Sequence, residues 1–136
     1  MTIYFAGSIR GGRDDQKIYA DIIALLRNYG TVVTEHVGDA DVMLGGENAP
    51  DREIHDRDLA WLRDADVVVA EVTAPSLGVG YEIGRSVEWG KRILCLYRPG
   101  NGHMLSGMIA GCDALTVHQY SRVDELKPIL ERELNR

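Results

Sequence analysis

Two acidic residues lie where a carboxylate could act on a bound ligand. Glu82 follows a glycine-rich loop, and we expect it in the first turn of a helix that begins at about Val79. Asp58 precedes Trp61 and Leu62 by three and four positions on another predicted helix, so its carboxylate shares the apolar face. The helix macrodipole would keep Glu82 ionised, whereas burial would raise the pKa of Asp58 and suit it to proton donation. A retaining glycosyl-transfer site uses such a pair of carboxyl groups.

Each of these residues also has a structural interpretation. Glu82 could be a surface acid that only stabilises its helix, and Asp58 could form a salt bridge with an arginine. Tyr4 is expected to be a core tyrosine whose hydroxyl needs a partner. His55 lies three positions before Asp58, but no third ligand of suitable spacing accompanies them. We therefore exclude a metal site and expect His55 to be a partly exposed structural residue.

Two glycine-rich segments could bind an anion through exposed backbone N–H groups. The first, GSIRGGR at 7–13, follows a predicted strand and offers Arg10 or Arg13 beside these groups. The second combines Ser76 with the backbone of 78–80, and Ser106 can cap a short helix in a similar way. Neither segment is a Walker loop or a dinucleotide fingerprint, because the defining spacings are missing. The alternative for each is an ordinary turn with solvated side chains.

Alternating strands and helices predict the architecture. Apolar or β-branched runs predict five strands, at 3–6, 31–34, 67–70, 92–97 and 115–120. Periodic segments predict helices at 14–29, 51–63, from 79, at 106–111 and at 124–135. This alternation with short connections is typical of an α/β, flavodoxin-like or Rossmann-like three-layer sandwich. We expect a five-stranded, mostly parallel sheet of order 2-1-3-4-5, in which the loops after strands one and three line one crevice.

Helix ends were assigned from side chains with known capping preferences. Asp14 or Asp15 is expected to cap the first helix and Asp51 the second. Gly30 is expected to end the first helix in a left-handed conformation. The segment between Glu35 and Pro50 contains three glycines and several polar residues, so we interpret it as a mobile excursion that could include a short helical piece.

Composition excludes several classes of partner. The chain of 136 residues is expected to form one domain, with 45% hydrophobic and 26% charged residues. Its net charge of −6 makes nucleic acid polymers and anionic membranes poor partners. No segment approaches a membrane-spanning length or a secretory leader, and the two cysteines lack the spacing of a metal site or a redox motif. We expect a cytoplasmic protein with reduced thiols.

Six segments together resemble the nucleoside 2-deoxyribosyltransferase-like family, in particular its members that hydrolyse deoxynucleotides. The resemblance covers nearly the whole chain, and its longest block contains Glu82. The matching segments are IYFAGSIRGGR at 3–13, TEHV at 34–37, IHDRDLAWL at 54–62, ADVVVAEVTAPSLGVGYEIGR at 65–85, KRILCLYRP at 91–99 and LSGMI at 105–109.

The resemblance implies hydrolysis of the N-glycosidic bond of 2′-deoxynucleoside 5′-monophosphates, without a cofactor or metal. Glu82 would be the nucleophile, Asp58 the general acid and base, and Tyr4 the residue that positions Glu82. The family also implies a homodimer, in which a residue from the neighbouring subunit reaches the phosphate. The residues implied in substrate and phosphate binding are Ser8, Ile9, Arg10, Gly11, Ser76, Gly78, Met108, and Ser106 of the partner subunit.

Two other functions remain compatible with these residues. A transferase would pass the deoxyribosyl group to a second base instead of water, and the acceptor cannot be read from the sequence. A non-catalytic sensor would bind a nucleoside monophosphate with the same loops. Two carboxylates beside an anion site do not favour simple binding, because they repel the ligand. The preferred base, and whether a modified nucleotide is the substrate, are not predicted.

Overall fold

A computed structural model shows an α/β sandwich and describes residues 1–9, 12–34 and 50–135. Five strands form one sheet of order β2-β1-β3-β4-β5, and each neighbouring pair is parallel. The expected architecture and strand order are confirmed. The strands are β1 (Thr2–Ala6), β2 (Thr31–Thr34), β3 (Val67–Glu71), β4 (Arg92–Tyr97) and β5 (Thr116–Gln119).

Helices cover both faces of this sheet. In chain order they are α1 (Gly12–Leu26), α2 (Asp51–Asp64), α3 (Leu77–Glu88), the short α4 (Gly107–Ala110) and α5 (Leu126–Leu134), which a 3₁₀ turn at Val123–Glu125 precedes. The part of the chain that the structure describes contains no helix long and apolar enough to cross a membrane.

The alternation of side chains along each strand creates two separate cores. On β1, Ile3 and Phe5 pack with α1 and α5, whereas Tyr4 and Ala6 pack with α2 and α3. On β3, Val67 and Val69 face the first core, and Val68 and Ala70 face the second. Successive strand residues point to opposite faces, so a strand buried on both faces must be continuously apolar. This explains why continuous apolar runs predicted the strands so closely.

Several helix ends differ from the sequence predictions. The first helix begins at Gly12, so Asp14 and Asp15 lie inside it, and it ends at Leu26 instead of Tyr29. Pro50 is the N-cap of α2, whose first turn contains Asp51 without a side-chain cap bond. The carbonyl oxygen of Pro50 accepts hydrogen bonds from the N–H groups of Glu53 at 2.9 Å and Ile54 at 3.1 Å, so the helix begins here on backbone hydrogen bonds alone.

Gly30 was predicted to be left-handed, and this prediction is wrong. Only Gly90, Gly100 and Gly102 have positive φ among the described residues. A Cβ on Gly30 would instead lie 2.3 Å from the carbonyl oxygen of Met1, so a close approach of two backbones requires glycine here. The predicted excursion lies outside the described residues except for Pro50.

Candidate active site

The loops that leave β1 and β3 meet at one edge of the sheet. Between them is a cleft of about 480 Å³, as expected where the carboxyl ends of neighbouring parallel strands meet. The structure therefore brings together five of the predicted site residues. The cleft is lined by Gly7, Ser8, Ile9, Pro75, Ser76, Leu77, Gly78, Val79 and Glu82. Of the other predicted phosphate-binding residues, Arg10 and Gly11 lie outside the described residues.

Glu82 is held at the cleft by a tyrosine from the centre of the sheet. Tyr4 is buried on β1 and points toward α2 and α3. Its hydroxyl donates a hydrogen bond to Oε2 of Glu82, which is the contact that the resemblance implied. A rigid strand thus fixes the direction of the carboxylate, which is half-buried and borders the cleft.

Glu82 does not lie in the first helical turn, so that prediction is wrong. The α3 helix begins at Leu77, which places Glu82 in the second turn and Gly78 inside the helix. The early start has a local cause, because the hydroxyl of Ser76 accepts a hydrogen bond of 3.2 Å from the N–H of Val79. The helix dipole acts mainly within the first turn, so its influence on Glu82 is smaller than expected.

Asp58 is buried on α2 and paired with its neighbour in the sequence. Only 4% of Asp58 is exposed, and both Nε and Nη2 of Arg57 lie 3.0 Å from its Oδ1 atom. Arg57 also lies over the ring of Trp61, with its guanidinium carbon 4.7 Å from the ring centroid. Asp58 therefore has both the burial expected of a general acid and the arginine of the structural alternative. It lines neither the cleft nor the groove described next.

Ser106 and Met108 line a separate groove next to the cleft. This groove has a volume of about 370 Å³ and shares the wall formed by Ser76, Leu77 and Val79 with the cleft. The hydroxyl of Ser106 caps α4 by accepting a hydrogen bond of 3.2 Å from the N–H of Met108, as predicted. Within one chain, these two residues therefore lie beside the candidate phosphate loops and not between them.

His55 contacts polar neighbours at the surface. Its Nδ1 lies 2.8 Å from Asp56, and its Nε2 lies 2.8 Å from the hydroxyl of Tyr81. Among residues 1–9, 12–34 and 50–135, no group of three or more His, Cys, Asp or Glu side chains could hold a metal ion. Cys95 and Cys112 are free, and burial raises the pKa of Cys95 to about 12.

Sequence reasoning missed a second acid at the same edge of the sheet. Glu71 is the last residue of β3 and is fully buried, on the face opposite to Tyr4. Its carboxylate accepts hydrogen bonds from Thr73, Arg98 and Tyr120. The available signal was a lone acid at the end of the apolar run VVVAE, since a buried carboxylate needs partners.

Relatives of known name are similar over most of the chain. A protein from Mus musculus named 5-hydroxymethyl-dUMP N-hydrolase is 63% identical over 112 residues, which cover 81% of this chain and 65% of that protein. A protein of the same name from Tetraodon nigroviridis is 53% identical over 136 residues, which cover 96% of this chain and 95% of that protein. The chain thus spans slightly less than two thirds of the mouse protein and nearly all of the fish protein.

Solved structures share the fold at low sequence identity. A Clostridium botulinum CMP N-glycosidase superposes with a TM-score of 0.72 at 18% identity, covering 98% of this chain and all of that one. A 2-deoxyribosyltransferase from Bacillus psychrosaccharolyticus gives a TM-score of 0.68 at 19% identity, covering 93% of this chain and 90% of that one. The family model for nucleoside 2-deoxyribosyltransferase matches residues 3–126. The chain therefore belongs to the nucleoside 2-deoxyribosyltransferase family.

Proposed function

We propose that this protein is an N-glycosidase that hydrolyses 2′-deoxynucleoside 5′-monophosphates to a free base and 2-deoxyribose 5-phosphate. Family membership supports action on a deoxyribosyl group, and the names of the mouse and fish relatives support hydrolysis of a nucleoside monophosphate. One structural observation carries the proposal. The carboxylate of Glu82 borders a cleft formed by two loops suited to an anion, and the hydroxyl of Tyr4 holds it there.

In the first step, Glu82 attacks the anomeric carbon of the deoxyribose. A carboxylate oxygen forms an ester with this carbon while the bond to the base nitrogen breaks, and the electrons of that bond go to the base. Tyr4 orients the attacking group through its hydrogen bond to Oε2. Since this strand residue is buried, the orientation does not depend on a flexible loop.

Asp58 is assigned the proton transfers. It gives a proton to the leaving base, and then takes one from the water that attacks the anomeric carbon and releases Glu82. Arg57 contacts the Oδ1 atom, so we assign the other oxygen, Oδ2, to the base and the water. Because Asp58 begins in an ion pair, substrate binding must bring a proton to this carboxylate or loosen its contact with Arg57.

The 5′-phosphate is assigned to the two loops of the cleft. The first N–H groups of an α-helix have no acceptor within the helix, and those of α3 begin at Leu77 beside Ser76. Ser8 and Ile9 lie opposite them on the β1 loop, and Arg10 and Gly11 continue this loop in the sequence. All reacting atoms come from the substrate, water and the two acids, so no step requires a cofactor.

We also propose that the protein is a homodimer, with Ser106 of the partner subunit at the phosphate. Two large apolar side chains that line the groove support this proposal, since Leu77 is 96% exposed and Met108 is 84% exposed. Exposed apolar patches of this kind are typical of interaction sites.

Light scattering during size-exclusion chromatography tests the stoichiometry, and Met108→Asp should produce monomers.

Mixing two impaired variants tests whether the site is shared between subunits. Glu82→Gln lacks the nucleophile, and Ser106→Ala lacks the hydroxyl from the neighbouring chain. In a mixed dimer, one site receives an intact Glu82 and an intact Ser106 from the partner subunit. After exchange of chains, the mixture should turn over low concentrations of substrate faster than the average of the two variants. Activity equal to that average would contradict a shared site.

A chromatographic assay with purified protein tests the proposed reaction. The substrates are the four common deoxynucleoside monophosphates, 5-hydroxymethyl-dUMP, one ribonucleotide, and a deoxynucleoside without phosphate. We expect free base and 2-deoxyribose 5-phosphate from at least one deoxynucleoside monophosphate, and none from the nucleoside. Release of base only after a second base is added would establish a transferase. Tight binding without release would establish a sensor.

A further inference from the structure

A buried polar cluster lies at the carboxyl ends of the strands, on the face of the sheet opposite to Tyr4. We define the Arg98 cluster as Glu71, Thr73, Arg98, Tyr120 and Asp15. The carboxylate of Glu71 accepts hydrogen bonds from the backbone N–H of Thr73 at 2.7 Å, the Thr73 hydroxyl at 3.0 Å and Nε of Arg98 at 3.3 Å, and from the hydroxyl of Tyr120. Residues that closely follow β3, β4 and β5 therefore converge on one carboxylate. Burial and the charge of Glu71 both raise the pKa of Tyr120.

Arg98 extends this cluster to the first helix. Its Nη2 atom lies 2.6 Å from Oδ1 of Asp15, which is in the first turn of α1. Its backbone N–H donates a hydrogen bond of 2.9 Å to the hydroxyl of Thr73, in the loop that leads from β3 to α3. One buried guanidinium thus contacts both the helix after the β1 loop and the end of β3. Charge-assisted hydrogen bonds of this kind are shorter and stronger than neutral ones.

The same helix supports the β1 loop directly. Tyr19 lies one turn after Asp15 and is buried, and its hydroxyl accepts a hydrogen bond of 3.3 Å from the N–H of Ser8. The loop is also packed tightly on this ring, because a Cβ on Gly7 would lie only 3.2 Å from Tyr19. Any shift of α1 at Asp15 would therefore move Tyr19 and the candidate phosphate loop with it.

We propose that Arg98 is a positioning residue that fixes the spacing between the two phosphate loops. It anchors α1 through Asp15, and hence the loop at Ser8, to Thr73 at the start of the loop that carries Ser76. A preformed anion site binds its ligand more tightly because less motion is lost on binding. This inference rests on the proposed function, since it assigns the 5′-phosphate to these loops. Arg98 itself does not touch the substrate.

A positioning role has a distinctive kinetic signature. The phosphate does not react, so its contacts contribute equally to the substrate complex and the transition state. Loss of such uniform binding raises KM and leaves kcat unchanged. A residue that only stabilises the fold would change neither value at a temperature where the variant remains folded. Inorganic phosphate should compete for the same loops, which makes its inhibition constant a second measure.

The test compares Arg98→Lys with Arg92→Lys. Both arginines belong to β4 or directly follow it, but Arg92 lies at the opposite end of the strand and pairs with Glu133 at 3.4 Å. Lysine keeps the charge and loses the fork that reaches Glu71 and Asp15 together. For Arg98→Lys we expect KM and the inhibition constant of phosphate to rise about tenfold, the scale of one charge-assisted hydrogen bond. For Arg92→Lys we expect no change in either.

Tyr19→Phe provides a second variant if Arg98→Lys folds poorly. It keeps the ring that packs on Gly7 and removes the acceptor for the N–H of Ser8. We expect both constants to rise about threefold, in proportion to one neutral hydrogen bond. Circular dichroism and thermal melting establish that each variant is folded at the assay temperature.

Three kinetic results would overturn the proposal. The first is an inhibition constant of phosphate that equals the wild-type value in both Arg98→Lys and Tyr19→Phe. The second is a fall in kcat of Arg98→Lys without a rise in KM. The third is a rise in KM for Arg92→Lys as large as that for Arg98→Lys. Calorimetric titration with inorganic phosphate separates this proposal from the proposed function, because it requires no turnover. If the wild type binds phosphate but hydrolyses no nucleotide, the proposed reaction fails while weaker phosphate binding in Arg98→Lys still supports positioning. Absence of phosphate binding in the wild type would overturn the positioning role.

Discussion

Two glutamates at the same edge of the sheet have opposite environments. Glu71 is fully buried on the α1 and α5 face, where Thr73, Arg98 and Tyr120 donate hydrogen bonds to it. Glu82 lies on the α2 and α3 face, receives a hydrogen bond from Tyr4 and borders the cleft. A carboxylate enclosed by donors has no route to a substrate, whereas one at a cleft wall does. The comparison therefore favours a structural role for Glu71 and supports the chemical role proposed for Glu82.

The largest expected effect comes from Glu82→Gln. Because an amide cannot serve as the nucleophile, we expect kcat to fall about 10³-fold or more. The side chain is only half-buried, so the free energy of unfolding should change by about 0.5 kcal/mol or less. Chromatographic assays and thermal melting check the two parts. Turnover close to that of the wild type would remove Glu82 from the mechanism.

Glu71→Gln should lower the stability and leave turnover nearly unchanged, which is the opposite of the pattern expected for Glu82→Gln. It leaves the buried guanidinium of Arg98 with one carboxylate partner fewer, and breaking a buried ion pair costs about 3 kcal/mol or more. We expect kcat to remain close to wild type well below the melting temperature. Denaturant titration measures the loss, and Glu88→Gln on the exposed side of α3 is the matched control. An unaltered unfolding free energy for Glu71→Gln would show that its hydrogen bonds contribute little.

Gly78→Ala should separate stability from function at a single position. Alanine favours a helix over glycine by about 0.5–1 kcal/mol, and the nearest atom to the new Cβ is the Ser76 hydroxyl at 3.9 Å. We therefore expect a more stable protein with a several-fold higher KM, since Gly78 lines the cleft. Gly84→Ala on the same helix has open space around its Cβ and should stabilise without affecting KM. Equal KM values in both variants would place the phosphate elsewhere.

The smallest expected effect is on how the free energy of unfolding depends on pH in alkaline solution, and it concerns Tyr19, on the same face of the sheet as Glu71. Burial, together with the charges of nearby Glu71 and Asp15, raises the pKa of Tyr19 to about 12 from the usual 10. Between pH 10 and 12 the unfolded chain loses a proton that the folded protein keeps, so the unfolding free energy falls as pH rises. Tyr19→Phe should lessen this slope without abolishing it, because the pKa of Tyr120 is raised as well. Denaturant titrations across this pH range measure the slopes, and identical slopes would contradict the burial of this phenol.

The sequence predicted the strands and their order because each signal was local. The runs that form β2 and β4 have the expected limits, since continuous apolar or β-branched segments end where polar residues begin. The convergence of Ser8, Ser76 and Glu82 followed from the strand order alone. Helix starts were less predictable, because the Ser76 hydroxyl capped α3 before the glycines that had been interpreted as a loop.

The Arg98 cluster could not be predicted, because its members are far apart in the sequence. Arg98 pairs with Asp15 across 83 positions, and Glu71 meets Tyr120 across 49. Only the strand order brings such residues together, and only the alternation along β3 determines which face Glu71 points to. The sequence also did not identify Arg57 as the ion-pair partner of Asp58, although the two residues are neighbours. Adjacent helical residues seldom face each other, so sequence patterns give this pair little weight.

Trapping the covalent intermediate tests the role of Glu82 most directly. A deoxynucleoside monophosphate analogue with fluorine at the 2-position of the sugar destabilises the oxocarbenium-like transition states and should slow release of the ester more than its formation. The reaction is quenched, released base is quantified, and proteolytic peptides are analysed by mass spectrometry, with Glu82→Gln as the control. We expect one equivalent of base and a fluorinated deoxyribosyl phosphate adduct on the peptide that contains Glu82. Base released without this adduct, or with the adduct on another residue, would contradict the assignment of Glu82 as the nucleophile.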